Sequence, residues 1–126
     1  MKNGKAVITV LVSGGGTNLQ ALIDAQKSGV LKSGEIALVI SNKQDAFALQ
    51  RAKNNGIKTA TVLKKDCGSS KEFENRLINE IDSVGTDIIV LAGFMSILSE
   101  EFTSRYERRI INVHPSLIPS FFGQRY

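Results

Sequence analysis

The residues of this chain best suited to chemistry are Asn112 and His114, which lie two positions apart at the end of an apolar segment. In a β-strand, side chains two apart share one face. A carboxamide beside an imidazole can stabilise the oxyanion of an acyl-transfer intermediate, and an imidazole exchanges protons near neutral pH. His114 is the only histidine in the chain. The pattern leaves two interpretations, a structural histidine and a catalytic one.

A second chemical feature is the glycine-rich segment 13–18, which reads Ser-Gly-Gly-Gly-Thr-Asn. Glycine lets backbone N–H groups approach an anion closely, and a following helix adds partial positive charge. A dinucleotide fingerprint needs a small residue at Leu19 and an acidic residue at 41–43, where the sequence has Ser-Asn-Lys. The lysine motif of a P-loop is absent as well. A tight turn without ligand and a monophosphate site remain as interpretations.

A third segment, 93–98, reads Gly-Phe-Met-Ser-Ile-Leu and follows another apolar run. Apolar side chains with a flexible methionine are suited to the wall of a pocket for a flat ring. The same residues are equally suited to packing back onto the core. The sequence leaves both interpretations open.

The elements that position these segments alternate along the chain. Short continuous apolar runs predict buried strands, and apolar residues at helical spacing predict amphipathic helices. This order predicts an α/β protein with an open, Rossmann-like, mostly parallel sheet and helices on both faces. Ligands bind such sheets at the carboxyl ends of the strands, where all three segments fall. The predicted strands are 5–12, 36–40, 58–62, 88–92 and 109–113, and the predicted helices are 17–28, 45–55 and 70–84.

Length and composition restrict the remaining possibilities. A chain of 126 residues fits one domain with one core. No apolar run reaches the ~20 residues of a membrane span, and the net charge of +4 is spread along the chain without the aromatics of a nucleic-acid surface. A single cysteine, Cys67, and no convincing signal peptide predict a cytoplasmic protein that binds neither membrane nor nucleic acid.

Taken together, these segments resemble the phosphoribosylglycinamide formyltransferase family. The resemblance spans essentially the whole chain and keeps four motifs in family order. One motif alone would be weak, whereas four at compatible spacings are specific. The matching segments are 13–20, 41–43, 91–99 and 112–119.

The resemblance implies an enzyme of de novo purine biosynthesis that transfers the formyl group of 10-formyltetrahydrofolate to the amino group of glycinamide ribonucleotide. It implies folate as co-substrate, no metal, and a monomer or homodimer. His114 would be the general acid or the cation facing the oxyanion, and Asn112 would contact the formyl region. The resemblance assigns the ribonucleotide phosphate to Gly16, Thr17 and Asn18, and the folate pterin to Met95, Ser96, Ile97 and Leu98.

The chain departs from the family pattern in two respects. Family members carry a catalytic aspartate well beyond the Asn-x-His motif, and this sequence ends at Tyr126 before that position. Residues 1–126 are therefore expected to form the amino-terminal domain without the carboxyl-terminal part of the family fold, and either to be continued by further chain or to be inactive by themselves. A folate-contacting arginine of some members falls near Ser70, where Lys71 is the neighbouring cation.

Two alternatives remain for the function. A formyltetrahydrofolate hydrolase shares the Asn-x-His core, but it typically has histidine at the position of Pro115 and an additional preceding domain. The other alternative is a catalytically incomplete fragment that binds the phosphate ligand without turnover.

Overall fold

The computed structural model of the chain describes residues 5–13, 17–27, 34–44, 47–94 and 98–113. Strands and helices alternate along the chain. Their bounds agree with the predicted elements to within about two residues wherever an element was predicted. The strands are β1 (Ala6–Val12), β2 (Gly34–Ser41), β3 (Lys58–Thr61), β4 (Ile88–Ala92) and β5 (Ile110–Val113); the helices are α1 (Thr17–Lys27), α2 (Phe47–Asn54), α3 (Ser70–Ser83) and α4 (Glu100–Arg105).

The five strands form one sheet in the order β3-β2-β1-β4-β5. Every neighbouring pair in this sheet is parallel. The chain winds from β1 outward to β3 and then crosses back to β4 on the other side of β1. This change of direction creates a topological switch point between β1 and β4, the usual ligand crevice of such sheets. The predicted fold class is confirmed.

Each face of the sheet has its own hydrophobic core. On the first face, Val10 of β1 and Val90 of β4 pack with Leu19 and Ile23 of α1 and with α2. On the second face, Leu11 and Ile89 pack with α3 and α4. Alternate residues of β1 and β4 therefore face opposite cores, as expected for strands buried on both sides.

A register shift in β2 lies between the pairs Ile8↔Ile36 and Thr9↔Leu38. One extra residue, Ala37, is accommodated there, as in a β-bulge. As a result Ile36 belongs to the first core and Leu38 to the second, although the two are two positions apart.

Two short elements were not predicted: a 3₁₀ turn at Lys64–Asp66 and the helix α4. The hydroxyl of Ser99, the N-cap of α4, accepts a hydrogen bond from the backbone N–H of Phe102 at 3.1 Å. The side chain of Phe102 is buried in the second core, and its ring lies 5.3 Å from that of Tyr106. Packing of these two rings therefore holds a helix that is too short to be stable by itself.

The amino-terminal edge of the sheet is held by polar contacts. The carboxylate of Asp87 accepts a hydrogen bond from the backbone N–H of Val7 at 2.8 Å, and the N–H of Asp87 donates to the carbonyl of Val7 at 2.8 Å. The hydroxyl of Thr86 donates to the carbonyl of Ile81 at 2.6 Å, so the buried Thr9 hydroxyl donates to Thr86, also at 2.6 Å. These contacts fix β1 against β4 at the edge opposite the three chemical segments.

Within the ranges that the structure describes, no helix combines the length and the apolar character needed to cross a membrane.

Candidate functional site

The candidate site lies at the carboxyl edge of the sheet, where β1 and β2 are joined by a side-chain contact. Ser13 directly follows β1 and is only 1% exposed. Its hydroxyl donates a hydrogen bond of 2.6 Å to the Oδ1 of Asn42, which directly follows β2. The backbone N–H of Asn42 in turn donates to the carbonyl of Val12 at 3.2 Å. The ladder between the two strands thus continues one residue past their ends.

The Ser41-Asn42-Lys43 segment is a fixed turn. The Ser41 side chain is fully buried, accepts a hydrogen bond from the backbone N–H of Lys43 at 2.9 Å and donates one to its carbonyl at 2.8 Å. The carbonyl of Ser41 accepts from the backbone N–H of Val62 at 2.9 Å. Asn42 is therefore held on both sides, while Lys43 is exposed.

The predicted phosphate segment connects β1 to α1. The strand ends at Val12, at the carboxyl edge of the sheet, and the helix begins at Thr17. Helix α1 has 11 residues, and its first turn carries no acidic side chain. The amino-terminal end of such a helix favours an anion through its dipole and its N–H groups. Gly16 lies outside the described residues, as do the side chains of Thr17 and Asn18.

The predicted folate segment follows β4. Gly93 has a φ of +74°, a left-handed conformation that glycine adopts without strain. Phe94 and Leu98 are partly buried against the second core, so packing onto the core is confirmed for these two residues. Met95, Ser96 and Ile97 lie outside the described residues, and the folate role of Leu98 stays a prediction.

The catalytic pair was predicted on the last strand. Asn112 lies in β5 opposite Leu91 of β4 and is exposed. Ile110, two positions earlier, packs against the second core, so Asn112 lies on the same face of the sheet by alternation. His114 lies outside the described residues. The structure therefore brings Asn112 to the edge where β1 and β4 also end, and the role of His114 stays a prediction.

Among the residues that the structure describes, the groups with shifted pKa values lie away from the candidate site. A hydrogen bond from the Val7 backbone lowers the pKa of Asp87, and the charge of Arg109 lowers it further. Burial raises the pKa of the Tyr106 hydroxyl, while its hydrogen bond with Arg105 acts in the opposite direction. Asp87 precedes β4 and Tyr106 precedes β5, at the amino-terminal edge of the sheet, so we assign these groups to structure. Across the described ranges, no three histidine, cysteine, aspartate or glutamate side chains are grouped to hold a metal ion.

Sequence reasoning missed the contact between Ser13 and Asn42 and the contacts that fix the start of α4. Both the backbone N–H and the hydroxyl of Ser99 donate to the carboxylate of Glu74, at 2.7 and 2.6 Å. A serine followed by Glu100 and Glu101 is a signal for a helix start that would have located α4. The two side-chain contacts themselves have no signal in the sequence. Ser13 and Asn42 are 29 residues apart, and Glu74 and Ser99 are 25 residues apart.

Comparison with known proteins shows the family of the chain. The sequence signature of the formyl transferase family matches residues 6–126. The chain belongs to the formyl transferase family. It is 49% identical to phosphoribosylglycinamide formyltransferase of Escherichia coli strain K12 over 92% of its own length and 54% of that protein. The corresponding protein of Haemophilus influenzae is 47% identical over the same shares.

Solved structures of relatives share the fold of this formyl transferase chain. The phosphoribosylglycinamide formyltransferase of Coxiella burnetii, solved in complex with CHES, superimposes with a TM-score of 0.84 at 44% identity. That match covers 94% of this chain and 56% of the Coxiella chain. The formyl transferase chain described here thus spans about half the length of the relatives it matches.

Proposed function

We propose that this chain is the amino-terminal part of a phosphoribosylglycinamide formyltransferase, which transfers the formyl group of 10-formyltetrahydrofolate to the amino group of glycinamide ribonucleotide. The observation that carries the proposal is that β1, β4 and β5 are parallel neighbours in the sheet, so their carboxyl ends meet at one edge. The glycine-rich segment follows β1, the apolar segment follows β4, and Asn112 lies near the end of β5. The similarity to the phosphoribosylglycinamide formyltransferases of Escherichia coli and Haemophilus influenzae supports the proposal.

Each ligand has its own candidate residues at this edge. The 5′-phosphate of the ribonucleotide would bind at the amino-terminal end of α1 through Gly16, Thr17 and Asn18, where backbone N–H groups and the helix dipole favour an anion. The flat pterin ring of the folate would lie against the apolar segment after β4, at Met95, Ser96, Ile97 and Leu98. Because β1 and β4 are neighbours in the sheet, the two ligands would lie next to each other at the topological switch point.

The reaction joins the amino nitrogen of the ribonucleotide to the formyl carbon of the folate. The C=O electron pair moves onto oxygen, and the resulting oxyanion needs hydrogen-bond donors placed where its charge develops. The carboxamide of Asn112 supplies such a donor, and His114 supplies either a positive charge or a proton. When the intermediate collapses, the bond to N10 of the folate breaks and N10 takes up the proton that the amine has lost. No metal takes part in this scheme.

We further propose that residues 1–126 form one domain of a cytoplasmic enzyme that is a monomer or a homodimer. The assignment of one domain is supported by the single sheet, which has one hydrophobic core on each face. The assembly state is measured by sedimentation.

The proposed function is tested by tracing a labelled formyl group. The protein is purified, its intact mass is compared with 13.7 kDa, and labelled 10-formyltetrahydrofolate is supplied with and without glycinamide ribonucleotide. For a protein of greater mass we expect the label in the ribonucleotide, and only when that acceptor is present.

Label released as formate without the acceptor would indicate a hydrolase and overturn the proposal. Binding of both ligands with no product, at a mass of 13.7 kDa, would identify a fragment that binds without catalysis. Turnover at that mass would show that the catalytic unit needs no aspartate beyond Tyr126.

A further inference from the structure

We infer that Asn42 is a positioning residue for the ribonucleotide phosphate, acting through the hydroxyl of Ser13. The inference rests on the proposed function and deepens it. The Ser41-Asn42-Lys43 segment is one of the four segments that resemble the family, but the proposed mechanism gives it no role. Asn42 need not touch the substrate. It fixes the residue from which the glycine-rich turn departs.

The first step of the argument concerns Ser13. This serine is the last described residue before the glycines, and its side chain is almost completely buried. A buried hydroxyl must be hydrogen-bonded, because an unmade bond there costs about 1–3 kcal/mol. The short bond to the Oδ1 of Asn42, 2.6 Å, meets this requirement and defines the rotamer of Ser13. The start of the turn is therefore tied to a side chain from the neighbouring strand.

The second step concerns the rigidity of Asn42. Its backbone is paired with Val12 of β1, and the residues on either side of it are closed into a turn by the buried Ser41 hydroxyl. A side chain can hold a neighbouring residue in one position only if it is itself held in place by hydrogen bonds or packing. Three successive glycines have little conformational preference of their own. A fixed point at the start of the turn reduces the number of conformations that phosphate binding must select.

The third step concerns charge. An aspartate at position 42 would accept the hydrogen bond from Ser13 as well as an asparagine does, so the bond alone does not explain an amide. A carboxylate next to a phosphate turn would repel the anion. The neutral side chain, followed by the exposed Lys43, suits a place beside a phosphate.

The test compares the binding of two ligands to the unaltered chain and to its variants by titration calorimetry. The ligands are glycinamide ribonucleotide, which carries the phosphate, and tetrahydrofolate, which has none. The chains are the unaltered protein, Asn42→Ala, Ser13→Ala and the double variant. Asn79→Ala, which removes an exposed amide from α3, is the matched control.

We expect Asn42→Ala and Ser13→Ala each to weaken ribonucleotide binding about tenfold, the loss of one hydrogen bond to a buried partner. The double variant should lose less than the sum of the two single losses, because the two side chains share one contact. The affinity for tetrahydrofolate in every variant, and both affinities of the Asn79→Ala control, should stay within about twofold of the unaltered chain, a change smaller than the loss of one hydrogen bond.

Asn42→Asp distinguishes an effect on the position of Ser13 from an effect on the stability of the chain. This variant keeps the acceptor for Ser13, so its unfolding free energy should stay near that of the unaltered chain. The added charge is screened at 0.5 M salt, roughly the range where screening acts over a few ångströms. At that salt we expect Asn42→Asp to bind the ribonucleotide more tightly than Asn42→Ala, because it keeps the support of Ser13.

Equal losses for both ligands, unchanged ribonucleotide binding in Asn42→Ala, or equal affinities of Asn42→Asp and Asn42→Ala at 0.5 M salt, where roughly only a few ångströms of charge interaction survive, would each overturn the inference and leave the proposed function standing. Absence of ribonucleotide binding in the unaltered chain would overturn both.

Discussion

The carboxylate of Glu74 in α3 accepts two hydrogen bonds from Ser99, one from its backbone N–H at 2.7 Å and one from its hydroxyl at 2.6 Å. The same hydroxyl accepts a bond from the N–H of Phe102 at 3.1 Å and so caps α4. Ser99 directly follows Leu98, the last residue of the proposed folate segment. The contact therefore fixes the point at which that segment returns to the core.

Replacement of Ser99 by alanine should destabilise the chain. The variant removes both the cap and the hydroxyl bond to Glu74, and loss of a serine N-cap costs about 0.5–2 kcal/mol. We expect a lower free energy of unfolding by about 1–2 kcal/mol, measured by urea denaturation. Ser104→Ala, on the exposed face of the same helix, is the matched control and should change stability by less than about 0.5 kcal/mol.

Ser99→Asp distinguishes the role of Ser99 as a helix cap from its contact with Glu74. Aspartate caps helices about as well as serine, but here its carboxylate would face that of Glu74. We therefore expect Ser99→Asp to be destabilised as well. Full stability of this variant would contradict the assigned role of Glu74.

Replacement of the proposed catalytic pair should reduce turnover more than binding. His114→Ala removes the proposed acid and is expected to lower kcat by about 10²–10⁴. Asn112→Ala removes a donor to the oxyanion and should cost about 10²–10³. In both variants the affinity for glycinamide ribonucleotide should remain nearly unchanged, because neither residue is placed on the phosphate. Formyl transfer and ribonucleotide binding are measured on the same samples.

Asn79→Ala serves again as the exposed-amide control. A His114→Ala chain with unaltered kcat would assign that histidine to structure instead.

Acid should weaken the contact between β1 and the start of β4. The hydrogen bond from the Val7 backbone lowers the pKa of Asp87 in the folded chain. A lowered carboxyl pKa contributes stability above the unfolded value, about 3.9, and that contribution is lost as the pH falls through the folded value. Asp87→Asn keeps an acceptor for Val7 but does not ionise. Its unfolding free energy should therefore fall less steeply below about pH 4, as measured by denaturation at a series of pH values. Parallel curves for the two chains would show that Asp87 contributes nothing to the acid response.

Sequence patterns predicted the sheet well because buried parallel strands are continuous apolar runs with few alternatives. Ile88–Ala92 was predicted with its observed bounds, and Gly56 and Gly85, at the ends of two predicted helices, have φ values of +72° and +68°. The bulge at Ala37 was not predictable, because Ile36 and Leu38 have the spacing of residues on a common face. The register of β2 against β1 determines which face of the sheet each of the two side chains occupies.

The candidate site was predictable in part for the same reason. The sequence places Asn112 and the glycine-rich turn at strand ends, and parallel topology brings those ends to one edge. The sequence does not show which side chains support them. Ser13 and Asn42 meet only because β1 and β2 are neighbours, and Glu74 reaches Ser99 only because α3 and α4 cover the same face.

The central claim is that the carboxyl edge binds a phosphorylated acceptor. It is tested most directly by titrating the protein with glycinamide ribonucleotide and with the same compound lacking its 5′-phosphate. We predict that removal of the phosphate weakens binding by at least about 100-fold, since several charge-assisted hydrogen bonds of about 1.5–3 kcal/mol each are lost. Equal affinity for the two compounds, or no binding of the phosphorylated one, would contradict the claim.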